Sequence, residues 1–243
     1  MKHLLFFISI ALIMLTSCKK DEDKVVEVQL FQNHVDLKSS DSFQIQTVVP
    51  DATLVFSSNN EFVATVNPSG LVTASRIGEA NIEVSNDQSK AILSVTVTPQ
   101  STLYDEPICD WSLVKSKVIE MEGDPDSETI EGIGYLVDNP SSPMKIYLFN
   151  ELNKLVASSV LVDRSKGEEL NTFINERYKR YTELSGLYYI DALTLDASTN
   201  VVYIEEFDEQ YNMVVYYSAK TVEKFGFITT LKDSFKNAIR RKH

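Results

Sequence analysis

From Val26 to Pro99 apolar and polar residues alternate in short runs, the period of two expected of a half-buried strand, whose successive side chains point to opposite faces. Phe43-Gln44-Ile45-Gln46-Thr47-Val48, Ala80-Asn81-Ile82-Glu83-Val84 and Ala91-Ile92-Leu93-Ser94-Val95-Thr96-Val97 each separate an apolar face from a polar one. Turn chemistry interrupts the runs at Val49-Pro50-Asp51, Ser57 to Asn60, Asn67-Pro68-Ser69-Gly70 and Gly78. Strands at this spacing predict an all-β sandwich.

After Pro99 the period changes. Asp110-Trp111-Ser112 predicts a helix running to about Glu122, with Val114, Val118 and Met121 on one face and Asp110 or Ser112 as its cap. Three strands are expected next, Ile133 to Val137, Met144 to Phe149 and Leu155 to Val162, divided by Asp138-Asn139-Pro140 and by Asn150 to Asn153. A second helix is expected from Ser165, with Glu168 completing a capping box and Leu170, Phe173, Ile174, Tyr178 and Tyr181 as one stripe. Strands at Leu187 to Leu195, Val201 to Phe207 and Tyr211 to Tyr217 follow, then a helix carrying Leu231, Phe235 and Ile239 on one face. The order points to a duplicated α-β-β-β unit, in which Phe149-Asn150-Glu151 corresponds to Phe207-Asp208-Glu209 and Leu155-Val156-Ala157 to Met213-Val214-Val215. Two similar hairpins of independent origin are the alternative. The expected architecture is an α+β domain, helices packed on one face of an antiparallel sheet. It is similar to the tandem helix-and-three-strand arrangement of secreted β-lactamase-inhibitory proteins, without a diagnostic motif, so inhibition does not follow.

In the first region, Phe56-Ser57-Ser58-Asn59-Asn60, Val63-Ala64-Thr65-Val66, Ser69-Gly70-Leu71-Val72-Thr73-Ala74 and Gly78-Glu79-Ala80-Asn81-Ile82 resemble, in order and spacing, the bacterial immunoglobulin-like domain, group 2. The resemblance covers residues 26–99. Phe56 stands where the family usually has Trp, which keeps a large aromatic core residue. The resemblance implies a spacer or contact module of extracellular bacterial proteins with no active site of its own.

At the start of the chain, a basic beginning precedes the apolar run Leu4 to Leu15 and then Leu15-Thr16-Ser17-Cys18. The run is 12 residues long. A helix needs about 20 to cross a bilayer, so residues 1–17 read as a cleavable signal. Leu-Thr-Ser-Cys resembles the lipobox of bacterial lipoproteins, which implies lipidation of Cys18; an ordinary secretory signal that contains a cysteine is the alternative. Lys19-Lys20-Asp21-Glu22-Asp23, within an acidic tether at 18–25, resembles the surface-export signal of Bacteroidota-type lipoproteins, and also reads as a solvated linker. The expected location is the outer membrane, at the cell surface.

The chain of 243 residues carries a formal charge of −12, and loss of the signal removes Lys2 and makes it one unit more negative. Such a surface repels phosphate backbones, which argues against nucleic acid despite Arg240-Arg241-Lys242. With Cys18 given to lipid, Cys109 has no partner and reads as a small buried residue. His3 leaves with the signal, and His34 and His243 are far apart, so paired-histidine zinc sites and Ser-His-Asp or Cys-His systems lack candidates. No cofactor is expected, and no metal.

Tyr147 beside Lys145, with Tyr189, Tyr203 and Tyr217, are the candidate ligand-binding residues, as an aromatic and polar sheet face open to a glycan or a protein. The competing reading makes these rings ordinary core. Gly123-Asp124-Pro125-Asp126-Ser127-Glu128 offers oxygen ligands without the spacing of a calcium-binding hand and reads better as a solvated loop. Glu205 and Glu206, adjacent on a strand, point to opposite faces and cannot act on one bond. In Glu168-Glu169, the first already has its capping role. The expected function is non-enzymatic binding or adhesion by a lipid-anchored surface protein. The alternative is a protein inhibitor or envelope-assembly factor gripping a protein through the same sheet face, and a carboxylate-based hydrolase is the third class.

Overall fold

The computed structural model describes residues 27–48, 53–183, 186–220 and 235. The signal, Cys18 and the tether lie outside the described residues, as do Leu231 and Ile239 of the last expected helix.

The alternating region folds into seven strands: β1 (His34–Lys38), β2 (Ser42–Gln44), β3 (Val55–Ser58), β4 (Ala64–Val66), β5 (Leu71–Ala74), β6 (Gly78–Ser85) and β7 (Lys90–Thr98). They form two sheets, β1-β7-β6-β3 and β2-β5-β4, with β1 parallel to β7. Ala80, Ile82 and Val84 of β6 and Leu93, Val95 and Val97 of β7 point into the space between the sheets and meet Ala64, Val72 and Ala74 of the opposite one. The run expected as one strand, Phe43 to Val48, divides its partners. Its first half pairs with β5, while Gln46 accepts from the Phe31 N–H and the Val48 N–H donates to Gln29. Gly70 has φ 78°, and a Cβ there would stand 2.9 Å from the Phe56 ring, so the turn needs glycine both for its backbone and for the aromatic packed beneath it.

The remaining described chain is also β-rich. It contains α1 (Lys115–Glu122), β8 (Ser127–Glu128), β9 (Gly132–Leu136), β10 (Met144–Phe149), β11 (Leu155–Asp163), α2 (Gly167–Asn175), β12 (Lys179–Tyr181), β13 (Leu187–Ile190), β14 (Asn200–Glu206) and β15 (Tyr211–Ser218). All eight strands join one antiparallel sheet in the order β12-β13-β14-β15-β11-β10-β9-β8. Each half is thus a helix followed by a four-stranded meander, one strand more than the sequence pattern predicts, and the halves meet where β11 pairs with β15. The corresponding hairpins turn in the same way: the Asn150 side chain accepts from the Leu152 and Lys154 N–H groups, and Asp208 from those of Gln210 and Tyr211.

Several element ends differ from expectation, each for a local reason. Helix α1 begins at Lys115 because Asp110 closes an Asx turn on Ser112, and Val114 pairs with Lys154 in a bridge. Of its expected stripe only Val118 is buried, and Met121 is exposed. Asp163 accepts from the Ser165 N–H and starts a 3₁₀ turn at Arg164–Lys166 that leads into α2, so Glu168 does not complete a capping box. Leu170, Phe173 and Ile174 are its buried face; Tyr178 follows the helix and Tyr181 lies in β12. Strand β13 stops at Ile190 because the Asp191 carboxylate accepts from the Thr199 and Asn200 N–H groups and closes a loop. The acidic segment after α1 guards the sheet edge: Asp126 accepts from the Leu136 N–H at 2.7 Å and Glu128 pairs with Lys115 at 2.7 Å.

Apolar side chains are buried on both faces of the sheet. Tyr189, Val202, Val214 and Tyr216 pack under α2 with Leu103 and Tyr104, while Ile133, Tyr147, Phe149 and Leu155 pack with Val118 of α1, Ile108 and Trp111. Ile190, Val201, Met213, Val215 and Tyr217 form the opposite face, against which Phe235 is fully buried.

A buried carboxylate joins the sandwich to the sheet. Glu176, directly after α2, is 1% exposed. Its side chain accepts from the Gln100 N–H at 2.7 Å, the Ser101 N–H at 3.1 Å and the Arg177 guanidinium at 2.5 Å, and its backbone carbonyl accepts from the Ile77 N–H of the sandwich at 2.7 Å. Arg177 also donates to the Ser101 carbonyl and lies 3.6 Å above the Phe173 ring.

Candidate functional site

The four tyrosines singled out in the sequence do not form one open surface. Tyr147 is fully buried beneath α1, donating its hydroxyl to Glu122 and accepting from the Ile108 N–H, and Lys145 is 3.4 Å from the same Glu122. Tyr189 shares that face, under Arg180. Tyr203 and Tyr217 belong to the opposite face, where Tyr217 is buried and Tyr203 stacks on Tyr188. The proposed aromatic sheet face is therefore corrected: Tyr147, Tyr189 and Tyr217 are core residues divided between the two faces, and Tyr203 is half-buried against Tyr188, because apolar residues pack on both sides of the sheet. Glu205 and Glu206 point apart as expected, and Glu206 pairs with Arg164 at 2.7 Å.

Other tyrosines form a closed polar core. Tyr104 and Tyr216 share a hydrogen bond of 2.8 Å, and Tyr178 donates to Glu106. Burial first, and the nearby carboxylate next, push the Tyr178 phenol well above its ordinary value.

The open space lies elsewhere. Four segments distant in sequence meet at a groove of about 740 Å³. They are Cys109 to Ser112 before α1, Asn150 with Lys154 to Val156 at the β10–β11 turn, Ser198 and Thr199 before β14, and Ser218 and Lys220 at the end of β15. The order β14-β15-β11-β10 is what brings them together.

Each wall is fixed by the backbone. Asp110 accepts from the N–H and the hydroxyl of Ser112, at 3.0 and 2.6 Å, and these bonds hold its carboxyl below the usual range. Trp111, the chain's only tryptophan, donates its indole N–H to Asn200 at 2.9 Å, which anchors one edge of the ring. Asp191 holds the Thr199 and Asn200 amides, and Thr199 in turn accepts from the Ala219 N–H. The Leu155 N–H donates to Leu113, tying the hairpin to the tryptophan segment. Cys109 lines the groove, but burial pushes its thiol well up, and its sulfur donates to the Pro107 carbonyl at 3.3 Å. It is a neutral thiol at physiological pH.

The groove thus offers an aromatic ring, an apolar floor at Leu155 and Val156, and hydroxyl, amide, ammonium and carboxylate groups around the rim. This is the chemistry of holding a polar ligand in a fixed pose. Among the described residues no three metal-ligating side chains cluster, and no helix is long and apolar enough to cross a membrane. The sequence reading missed this site because its parts are loops and strand ends. The available signal was Asp110-Trp111-Ser112, an Asx turn presenting a lone tryptophan.

Residues 28–97 match the family model of the bacterial Ig-like domain (group 2), which supports the sandwich reading made for residues 26–99. No curated protein matches the chain. Among solved structures it is similar to domains 5-6 of the S-layer protein SbsC, with 10% identity and a TM-score of 0.26 over 79% of this chain and 82% of that one. The same identity and TM-score are found with domains 4-9 of the surface layer protein SbsC, over 79% of this chain and 26% of that one.

Proposed function

We propose that the chain is a lipid-anchored protein of a bacterial outer membrane, facing the cell exterior. In this reading the Ig-like sandwich holds the second unit, an α+β domain built by duplication, away from the membrane. The groove at Trp111 captures a glycan without transforming it. The observation that carries the binding reading is the groove itself, in which the only tryptophan is pinned beside amide and hydroxyl groups. A pyranose ring has apolar C–H faces and a polar rim of hydroxyls, so an aromatic plane flanked by short polar side chains complements it.

The test is affinity electrophoresis of the mature protein through gels loaded with soluble polysaccharides. Trp111→Ala is expected to weaken retention by about tenfold or more, as loss of a well-packed aromatic anchor does. Trp111→Phe keeps a ring but not the indole N–H and is expected to restore most of it. Equal retention by wild type and both variants, each with its melting transition intact, excludes the groove.

The anchor rests on Leu15-Thr16-Ser17-Cys18. Cys18→Ala is expected to move the protein from the membrane to the soluble fraction or to leave it with an uncut signal. Unchanged membrane retention with normal processing would remove the lipid from the proposal.

A further inference from the structure

Lysine and arginine are outnumbered in this chain, 23 against 35 acidic residues, and the described ones are almost all engaged. Lys90, Lys115, Lys117, Lys145, Arg164, Lys166 and Arg177 pair with carboxylates. Lys38, Arg76, Lys179 and Arg180 donate to backbone carbonyls. Among the described residues only Lys154 and Lys220 make neither contact, and both line the Trp111 groove.

The coincidence has a physical direction. On a surface of net charge −12 an ammonium finds a carboxylate easily, yet these two stand exposed at the rim without one. Two carboxylates on this side of the sheet are held by the protein, Asp110 by Ser112 and both oxygens of Asp191 by the Thr199 and Asn200 amides, and exposed Glu151, three residues before Lys154, makes no ion pair with it. The lysines come from different elements, the β10–β11 turn and the end of β15, and point to ligand recognition from two sides. Asn150 uses its carbonyl oxygen on Leu152 and Lys154, which turns its amide donor outward at the same rim. Two ammoniums and one amide thus stand as donors at the rim.

We propose that the groove is selective for acidic polysaccharides, whose carboxylate or sulfate groups are taken by Lys154 and Lys220 while a sugar ring lies at Trp111. The proposal rests on the glycan reading above and narrows it to a charge class. It also gives that class a use: a strongly acidic surface repels an acidic polymer except where the two ammoniums lie, so the polymer is directed into the groove.

The mature protein is run against polygalacturonate, dextran sulfate and neutral galactan, at low and at high salt. Retention by at least one acidic polymer is expected to exceed that by galactan by about tenfold and to fall steeply as the ionic strength is raised. The two acidic polymers separate carboxylate from sulfate preference. The double variant Lys154→Ala, Lys220→Ala is expected to lose the preference and the salt dependence, and Lys154→Arg with Lys220→Arg to recover both. Galactan bound as tightly as the acidic polymers, or binding indifferent to salt, overturns the charge selectivity; if that binding still needs Trp111, the glycan reading stands. Retention by none of the three overturns both.

Discussion

Glu176→Ala is expected to destabilise the protein by about 3–5 kcal/mol, the range for removing one partner of a buried ion pair. The mutation takes an acceptor from the Gln100 and Ser101 amides and leaves the Arg177 guanidinium, 11% exposed, without its nearest carboxylate. Glu106, 3.8 Å from Arg177, is too far to replace the bond that is lost. Glu176→Gln preserves the shape but turns an NH₂ group toward one of these donors, and is expected to cost about 1–3 kcal/mol. Urea denaturation of the purified protein measures both. Since residues 99–101 link the sandwich to the sheet, limited proteolysis should also cut there first in the alanine variant. An unchanged midpoint with unchanged protease resistance would show that the carboxylate does not hold the junction.

The second large effect is expected at Tyr147, and it distinguishes core from site. Tyr147→Ala empties a fully buried aromatic position and is expected to cost about 3–5 kcal/mol, as large-to-small aromatic core substitutions do. Tyr147→Phe keeps the ring but leaves Glu122 and the Ile108 N–H without the hydroxyl, at about 1–3 kcal/mol. Glycan retention per folded molecule should stay at the wild-type level in the phenylalanine variant, because Tyr147 does not line the groove. Thermal melts and affinity electrophoresis on the same preparations read the two quantities separately. Lost retention with an unchanged melt would return Tyr147 to the binding surface.

The difference between these residues and the ones legible in the sequence is one of covering layers. In β6, Ala80, Ile82 and Val84 face the core while Glu79, Asn81 and Glu83 face outward, so the strand and its orientation follow from alternation alone. Strand β10 also begins and ends where its pattern predicts. Which side of the eight-stranded sheet is open does not follow, because Tyr188, Tyr189 and Ile190 are buried in succession when both faces are packed. A register shift at Leu148/Phe149 further breaks the parity by which residues on β11 are assigned to a face. In the sequence nothing sets Glu176 apart among the 35 acidic residues, and only the approach of Gln100, Ser101 and Ile77 from far along the chain makes it a junction. The groove was hidden for the same reason: turns supply its walls, and strand order, which local pattern does not encode, assembles them.

The pairing of β11 with β15 sets a timetable for the newborn chain. The sandwich is complete once β7 has emerged, but the middle of the large sheet must wait for the last strand, since Ala157 pairs with Tyr217 and Asp163 with Tyr211. Until then β11 carries a bare edge of backbone donors and acceptors in its most apolar stretch, an invitation to pair with a neighbouring chain. A chain ending short of β15 would thus keep a sound first domain and an adhesive second one. The hazard of mispairing falls on that interval.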